Sequence, residues 1–342
     1  MQLRRKLTQV TQELEKVFRK RIKIAWVFPG QGKEVVEMSA DIKEALLEIW
    51  EPVERVLKKD YADMLFYLLT TKESEIEEAK RPWAKMMIKM FAQPAVFIDC
   101  YCRAQIRLKK VDRGEEKAPD FLAGPSLGEI TALVVGGALS FSQGLRLVMM
   151  RNFAMFSAAY FINDGCMIAV FGDSKKRTMA ENYAKKAKFK IANTNNPEEV
   201  VFSGPRAILK KFTDNLEKKR IGYKVLETID AFHNKDFMGH PQQTLNFVLD
   251  LPDMEISSPS IPVFSCLTKN KQKSPRQIKR NLIDSVINPT DFSEVVFRLV
   301  RAGCVASTIV EVASPNIAYL ANGLKRFPEL REKSVLVEQV TT

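Results

Sequence analysis

One short segment constrains the fold of this 342-residue chain more than any other. An apolar run at 121–123 predicts a buried strand, and it is followed by the turn 124–128 (GPSLG) and then by a helix that is apolar nearly all round. A G-x-S-x-G turn between a strand and a buried helix is the pattern of a nucleophile elbow, in which glycines let neighbouring backbone approach closely. The segment favours an α/β fold with Ser126 as a nucleophile. The alternative is an N-cap serine beside a tight turn.

A nucleophilic serine requires a base, and the chain contains only two histidines, His233 and His240. His240 lies in a Met-Gly-His-Pro segment that is typical of a surface or turn position. A histidine taken alone is more often structural than catalytic, but beside an elbow serine we interpret His233 as the general base. The only close cysteine pair, Cys100 and Cys102, lacks the usual two-residue zinc spacer, so we expect no metal site.

Two more polar residues are candidates for the site. Gln31 lies in the turn that ends the strand predicted at 22–28, where ligand sites of open α/β sheets usually form, so it is a candidate oxyanion donor or an ordinary turn residue. Arg151 lies within the apolar stretch 145–156, which predicts partial burial. A buried guanidinium must be paired, either with a structural carboxylate or with the carboxylate of a substrate.

The order of predicted elements gives the architecture. Ser140 and Gln143 stand three residues apart before an apolar run, which predicts a helix that begins with a capping box. From about residue 160 the pattern is β-α-β-β-α-β, with a turn at 195–197 between the second and third strands. This is the arrangement of a ferredoxin-like unit, and strands at 261–264 and 307–312 resume afterwards. The fold class is therefore α/β, with a large hydrolase-like α/β body built on a parallel sheet and an inserted ferredoxin-like small subdomain. The predicted divisions are an N-terminal amphipathic helix at 1–21, a large subdomain at 22–159 and 230–342, and a small subdomain at 160–229.

Composition limits the partners and the compartment. A net charge of +12 and a pI near 9.4 favour anionic partners. The basic runs contain few aromatic residues and match no nucleic-acid module, so we expect no nucleic-acid partner. No apolar run approaches the roughly 18–20 residues that span a bilayer, so we expect no membrane insertion. The five cysteines are scattered and odd in number, which favours a reducing cytoplasm.

Several separated motifs together resemble the malonyl-CoA:acyl-carrier-protein transacylase family, and free-standing acyltransferases of polyketide or fatty-acid synthesis look most similar. The resemblance covers about residues 22 to 330 and rests on the order of the motifs along the chain. These motifs are VFPGQG at 27–32, GPSLGE at 124–129, RLVMMR at 146–151, IANTNNPEEVVFSGP at 191–205, AFHN at 231–234, IPVFSCLT at 261–268, INP at 287–289 and VEVASPNIAYLANGLKR at 310–326.

The resemblance implies a serine acyltransferase with a Ser–His dyad. By motif position, Ser126 attacks a malonyl thioester after His233 removes its proton. A main-chain carbonyl near Ser285 orients the histidine, whereas other serine enzymes use an aspartate. The resemblance also assigns roles to four further residues: the amide of Leu127 and a donor at Gln31 hold the oxyanion, Arg151 binds the malonyl carboxylate, and the ring of Phe232 disfavours branched acyl groups.

The implied substrates are malonyl-CoA, as a CoA thioester, and a phosphopantetheinylated acyl carrier protein, with no bound cofactor. One departure from the family is Pro125, which stands where the family usually has histidine and which mildly favours a changed role. The alternative enzyme is a proofreading acyl hydrolase that acts on acyl carrier proteins of a polyketide synthase. Retention of Arg151 argues against it. A carrier-protein docking scaffold with a decayed site is the alternative without catalysis.

Overall fold

The computed structural model describes residues 22–31, 38, 40–71, 82–161, 164–226, 230–315 and 318–330. All structural statements below refer to these ranges. The amphipathic helix predicted at 1–21 lies outside the described residues.

Strands and helices are interspersed along the described residues, with several successive helices between the first two strands. The strands are β1 (Lys23–Val27), β2 (Phe121–Ala123), β3 (Gly165–Phe171), β4 (Lys190–Asn196), β5 (Glu199–Pro205), β6 (Gly222–Val225), β7 (Val263–Phe264), β8 (Thr290–Asp291) and β9 (Cys304–Glu311). The helices are α1 (Ala40–Glu48), α2 (Trp50–Leu57), α3 (Lys59–Thr70), α4 (Pro82–Asp112), α5 (Leu127–Val135), α6 (Phe141–Phe161), α7 (Ser174–Lys186), α8 (Leu209–Lys218), α9 (Gly239–Leu249), α10 (Pro275–Ser285), α11 (Phe292–Arg301) and α12 (Leu320–Leu324). A 3-10 turn at Arg206–Ile208 precedes α8.

The large body is built on a parallel sheet with the strand order β7-β2-β1-β9. Successive side chains of a strand point to opposite faces, so Trp26 and Phe28 enter one core and Ala25 and Val27 enter the other. Helices α4, α5 and α6 contribute to the first core, and α11 and α12 to the second. The sheet is therefore covered by helices on both faces. A ligand site is then expected among the loops at the carboxyl ends of its strands.

The inserted unit has the strand order β6-β3-β5-β4, with every neighbouring pair antiparallel. This is the predicted ferredoxin-like arrangement, and the α/β class with its inserted small unit is confirmed. The later strand β8 adds in parallel to the outer edge of β4. This pairing joins the small sheet to the segment that follows α10. The division of the chain at 160–229 stays a prediction.

The end of one strand, β4, differs from the sequence prediction. The turn between β4 and β5 was predicted at 195–197, but β4 continues through Asn196 and only the residue pair 197–198 forms the turn. The reason is local hydrogen bonding: the Asn196 side-chain oxygen accepts from the amide of Glu198 at 3.0 Å, and its side-chain nitrogen donates to Glu199 at 3.1 Å. These contacts let asparagine extend the strand to a two-residue turn.

The predicted start of α6 is confirmed. The side chain of Ser140 accepts from the amide of Gln143 at 3.2 Å, and the Gln143 side chain accepts from the amide of Ser140 at 2.8 Å. This reciprocal pair is a capping box, which satisfies two amides that a helix start leaves unpaired. Within the described ranges, no helix is both long and apolar enough to cross a membrane.

Candidate active site

The G-x-S-x-G segment forms the sharp bend that the sequence predicts. Ser126 lies between β2 and α5 with φ 55° and ψ −107°, a backbone conformation that side-chain-bearing residues rarely adopt. A Cβ atom on Gly124 would lie 2.5 Å from the carbonyl oxygen of Phe28, and one on Gly128 would lie closer still to the same oxygen. Both glycines are therefore required because the backbone just after β1 lies in close contact with the turn.

The bend places Ser126 as the N-cap residue of α5. The first amides of a helix have no acceptor within the helix, and the positive end of the helix dipole lies beside them. Leu127 is the first residue of α5, so its amide is one of these donors. The serine hydroxyl is thus next to a donor that can stabilise a developing negative charge.

His233 is buried, and its ring contacts the side chain of Ser126. Its Nε2 lies 3.0 Å from the Ser126 hydroxyl, and its Nδ1 lies 2.7 Å from the carbonyl oxygen of Ser285. The carbonyl can only accept, so Nδ1 carries the proton and Nε2 faces the serine as an acceptor. Burial, with a smaller contribution from the charge of Arg151, lowers the pKa of His233 from 6.5 to about 4. The imidazole is therefore neutral at physiological pH.

The loop that carries His233 is held against the small sheet. Its neighbour Asn234 is buried and donates from Nδ2 to the carbonyl oxygen of Ser203 in β5 at 3.2 Å. Gly165 in β3 gives the loop room, since a Cβ there would collide with Asp230 and Ala231. His240, by contrast, is exposed in the first turn of α9, as the sequence predicts for a surface position.

Arg151 lies at the same place and is more deeply buried than predicted, with 4% of its surface exposed. Its Nη2 donates to the Ser126 hydroxyl at 2.6 Å, and its Nη1 donates to the side-chain oxygen of Gln93. Burial lowers its pKa to about 10, so the guanidinium remains charged at neutral pH. In the described part of the chain no carboxylate pairs with it. A buried cation with neutral partners is a site for an anion.

Gln93 is a site residue that the sequence analysis missed. It is 1% exposed, and its Nε2 donates to the side-chain oxygen of Gln31 at 3.1 Å while its oxygen accepts from Arg151. Gln93 therefore connects the turn after β1 to the guanidinium. The next residue, Pro94, lies inside α4 and is the one sequence signal that marks this position as unusual.

Pro94 also explains how α4 and α6 are joined here. A proline inside a helix has no amide to donate, so the carbonyl oxygen four residues earlier loses its usual partner. Asn152, the neighbour of Arg151, donates from Nδ2 to that oxygen, on Met90. The contact fixes α6 at the residue that directly follows Arg151, whose guanidinium contacts Gln93.

The remaining predicted residues lie at the edge of this group. Gln31 is partly buried, and the preceding Gly30 donates its amide to the hydroxyl of Tyr319 at 3.2 Å. Phe232 is 7% exposed and belongs to the core that covers α4 to α6. The structure thus brings Ser126, His233 and Arg151 into direct contact and links Gln31 to them through Gln93.

A parallel α/β sheet with a serine elbow and a histidine from a later loop defines a class of serine acyl-transferring and hydrolysing enzymes. A family profile described as the acyl transferase domain matches residues 25–334, and the chain belongs to that family.

Two curated relatives have similar sequences over most of their length. A malonyl CoA-acyl carrier protein transacylase of Synechocystis is 27% identical over 284 residues, which are 82% of this chain and 87% of that protein. One of Bacillus subtilis is 26% identical over 328 residues, which are 94% of this chain and 95% of that protein.

Solved structures show the same fold. The malonyl CoA-acyl carrier protein transacylase of Burkholderia pseudomallei superposes with a TM-score of 0.72 at 24% identity, over 89% of this chain and 98% of that one. A malonyl-transacylase in complex with a type II polyketide synthase acyl-carrier protein gives a TM-score of 0.74 at 23% identity, over 90% and 94% of the two chains.

Proposed function

We propose that this chain transfers a malonyl group from CoA to the phosphopantetheine thiol of an acyl carrier protein through an ester on Ser126. The observation that carries the proposal is the contact between the buried guanidinium of Arg151 and the Ser126 hydroxyl at 2.6 Å, while the partners of the cation among the described residues are neutral. A thioester that also bears a free carboxylate fits these two groups together. The names of the curated relatives support the same substrate.

In the first half-reaction, His233 Nε2 takes the proton of the Ser126 hydroxyl as the oxygen attacks the thioester carbon. The new carbon–oxygen bond leaves a negative charge on the carbonyl oxygen, which the amide of Leu127 and a donor at Gln31 would stabilise. Removal of one such donor typically costs about 2.7–4 kcal/mol of activation free energy. Collapse of the intermediate breaks the carbon–sulfur bond, and the imidazolium returns the proton to the departing CoA sulfur.

The second half-reaction is the reverse chemistry with a different thiol. The neutral imidazole of His233 takes the proton of the pantetheine thiol, whose sulfur attacks the ester carbon. The same oxyanion donors act again, and the carbon–oxygen bond to Ser126 breaks as the serine regains the proton. The enzyme is restored without any redox step, so we infer that no bound cofactor is needed.

Selection of the acyl group would rest on charge and shape. Arg151 would favour an acyl group with a free carboxylate, because an acetyl group leaves the buried guanidinium without an anionic partner. The ring of Phe232, next to the catalytic histidine, would disfavour a branched acyl group. The net charge of +12 suits the phosphates of CoA and an acidic carrier protein, chiefly by raising the encounter rate. The five cysteines are free thiols, which is consistent with a reducing cytoplasm.

A partition assay tests the proposal. The protein is loaded with labelled malonyl-CoA and then mixed with a phosphopantetheinylated carrier protein, and the label is followed to carrier protein and to water. Transfer to the carrier protein at a rate well above hydrolysis is expected, with Ser126→Ala as the inactive control. Release of most of the label to water would favour the hydrolase alternative over the proposal. Transfer of label to the carrier protein by the Ser126→Ala variant would show that Ser126 is not the nucleophile.

A further inference from the structure

Three buried polar side chains form a hydrogen-bonded chain between α5, which begins after Ser126, and α10, which ends at Ser285, the residue whose carbonyl oxygen contacts His233. Asn281 donates from Nδ2 to the side-chain oxygen of Gln272 at 3.0 Å, and Gln272 donates from Nε2 to the carboxylate of Glu129 at 2.9 Å. Each of the three residues is 3% exposed. We refer to them as the buried strut.

The two ends of the strut lie one helical turn from the catalytic contacts. Glu129 is in the first turn of α5, three residues after Ser126. Asn281 is in α10, four residues before Ser285, whose carbonyl oxygen accepts from His233. The strut therefore connects the helix start that holds the nucleophile to the helix end that orients the base.

The middle of the strut is fixed to the parallel sheet. The amide of Gln272 donates to the carbonyl oxygen of Val263 in β7 at 2.8 Å. The second oxygen of Glu129 accepts from the amide of Cys266 at 2.9 Å, just after the same strand. A buried polar chain of this kind fixes the distance between α5 and α10, because a shift of either helix would leave polar groups unpaired in a low-dielectric interior.

Resting on the proposed acyl transfer, we propose that Gln272 and Asn281 are positioning residues that set the distance between the Ser126 hydroxyl and His233 Nε2. Their side chains hydrogen-bond to each other and to Glu129, whereas the Ser126 hydroxyl contacts Arg151 and His233. Their contribution is the placement of α10 against α5, because a misplacement of about 1 Å in a catalytic contact can cost about 100-fold in rate. Arg151 lies on α6, which carries none of the three strut residues.

The proposal predicts loss of chemistry without loss of substrate binding. Gln272→Met and Asn281→Leu should each lower kcat for malonyl transfer by about 10-fold or more and leave KM for malonyl-CoA within about twofold. The double variant should be no slower than the worse single variant, because both substitutions break one chain. Arg280→Gln, on the exposed side of α10, is the matched control and should keep the original rate.

Two further measurements separate positioning from folding. The first is the rate at which a neutral fluorophosphonate modifies Ser126, divided by the fraction of protein that is folded. In the two strut variants this rate should fall in parallel with kcat. The Nδ1–H proton resonance of His233 should broaden in both strut variants and not in Arg280→Gln; only His240 could be confused with it.

Unchanged modification rates, multiplicative effects in the double variant, or a rise in KM alone would overturn the role of the strut. Should any single variant fail to fold, the double variant, which replaces both neighbouring amides by apolar groups, carries the same test. A wild-type protein that reacts with the fluorophosphonate but transfers no malonyl group would refute the proposed function and leave the strut intact.

Discussion

The guanidinium of Arg151 donates to the hydroxyl of Ser126 at 2.6 Å, so the buried cation and the elbow serine are directly hydrogen-bonded. The same hydroxyl lies 3.0 Å from His233 Nε2. A carboxylate that binds Arg151 would compete for its donors and leave the hydroxyl to the histidine. Under the proposed transfer, binding of a dicarboxylic thioester would thereby be linked to activation of the serine.

The first prediction concerns acyl selection. Arg151→Ala should lower kcat/KM for malonyl-CoA by at least about 100-fold and change the much weaker use of acetyl-CoA far less, because only malonyl loses a charged partner. Steady-state transfer to a carrier protein measures both. Arg146→Ala, five residues earlier on α6 and paired with Asp253 at the surface, is the matched control. Equal losses for both acyl groups would remove the carboxylate-binding role.

A second prediction concerns Gln93, the neutral hydrogen-bond partner of Arg151. Gln93→Glu places a carboxylate where Arg151 now contacts an amide oxygen. We expect the KM for malonyl-CoA to rise by about 10-fold or more, since the new ion pair occupies the guanidinium and a buried pair is costly to separate. Gln93→Met, which has no charge, should raise KM less. The idea fails if the glutamate variant binds malonyl-CoA as well as the original protein.

The pH dependence provides a third prediction. His233 must be neutral to accept a proton, and burial together with Arg151 lowers its pKa to about 4. Modification of Ser126 by a neutral fluorophosphonate should therefore stay constant down to about pH 5 and fall only as pH drops through about 4. Arg151→Ala removes the like charge, so its acid limb should move to higher pH. Two results would contradict this assignment. One is a modification rate of the original protein that already falls near pH 6.5, and the other is a fall at lower pH in Arg151→Ala than in the original protein.

The strained backbone of the elbow leads to a fourth prediction. Ser126 adopts a positive φ of 55°, which costs a side-chain-bearing residue on the order of 1–3 kcal/mol and glycine little. Ser126→Gly and Ser126→Ala both lose the hydroxyl, so their difference isolates the backbone. The glycine variant should be more stable than the alanine variant by about 1 kcal/mol in urea unfolding. An alanine variant of equal or greater stability would exclude strain at this residue.

Local patterns carried much of the sequence prediction. The elbow at Ser126 and the capping box at Ser140 depend on residues within a few positions of each other, and both have the predicted hydrogen bonds or backbone. The order of strands in the inserted unit also followed from local pattern. The contact of His233 to the Ser285 carbonyl came from family resemblance, since no periodicity in this chain relates the two residues.

The missed features depend on contacts between distant elements. Gln93 joins the site because α4 and α6 cross beside Pro94, and a proline indicates a missing donor without indicating which residue replaces it. Gln272 and Asn281 look like ordinary polar residues of a Lys-rich segment, and only packing reveals their burial. The turn between β4 and β5 was misplaced because asparagine is typical of turns but here extends a strand.

The most direct test is the mass of the protein after brief exposure to malonyl-CoA. We predict one added malonyl group in the intact-mass spectrum, mapped by tandem mass spectrometry to Ser126 and absent from the Ser126→Ala variant. An unchanged mass, or a malonyl group on another residue that persists in that variant, would contradict acyl transfer through this serine.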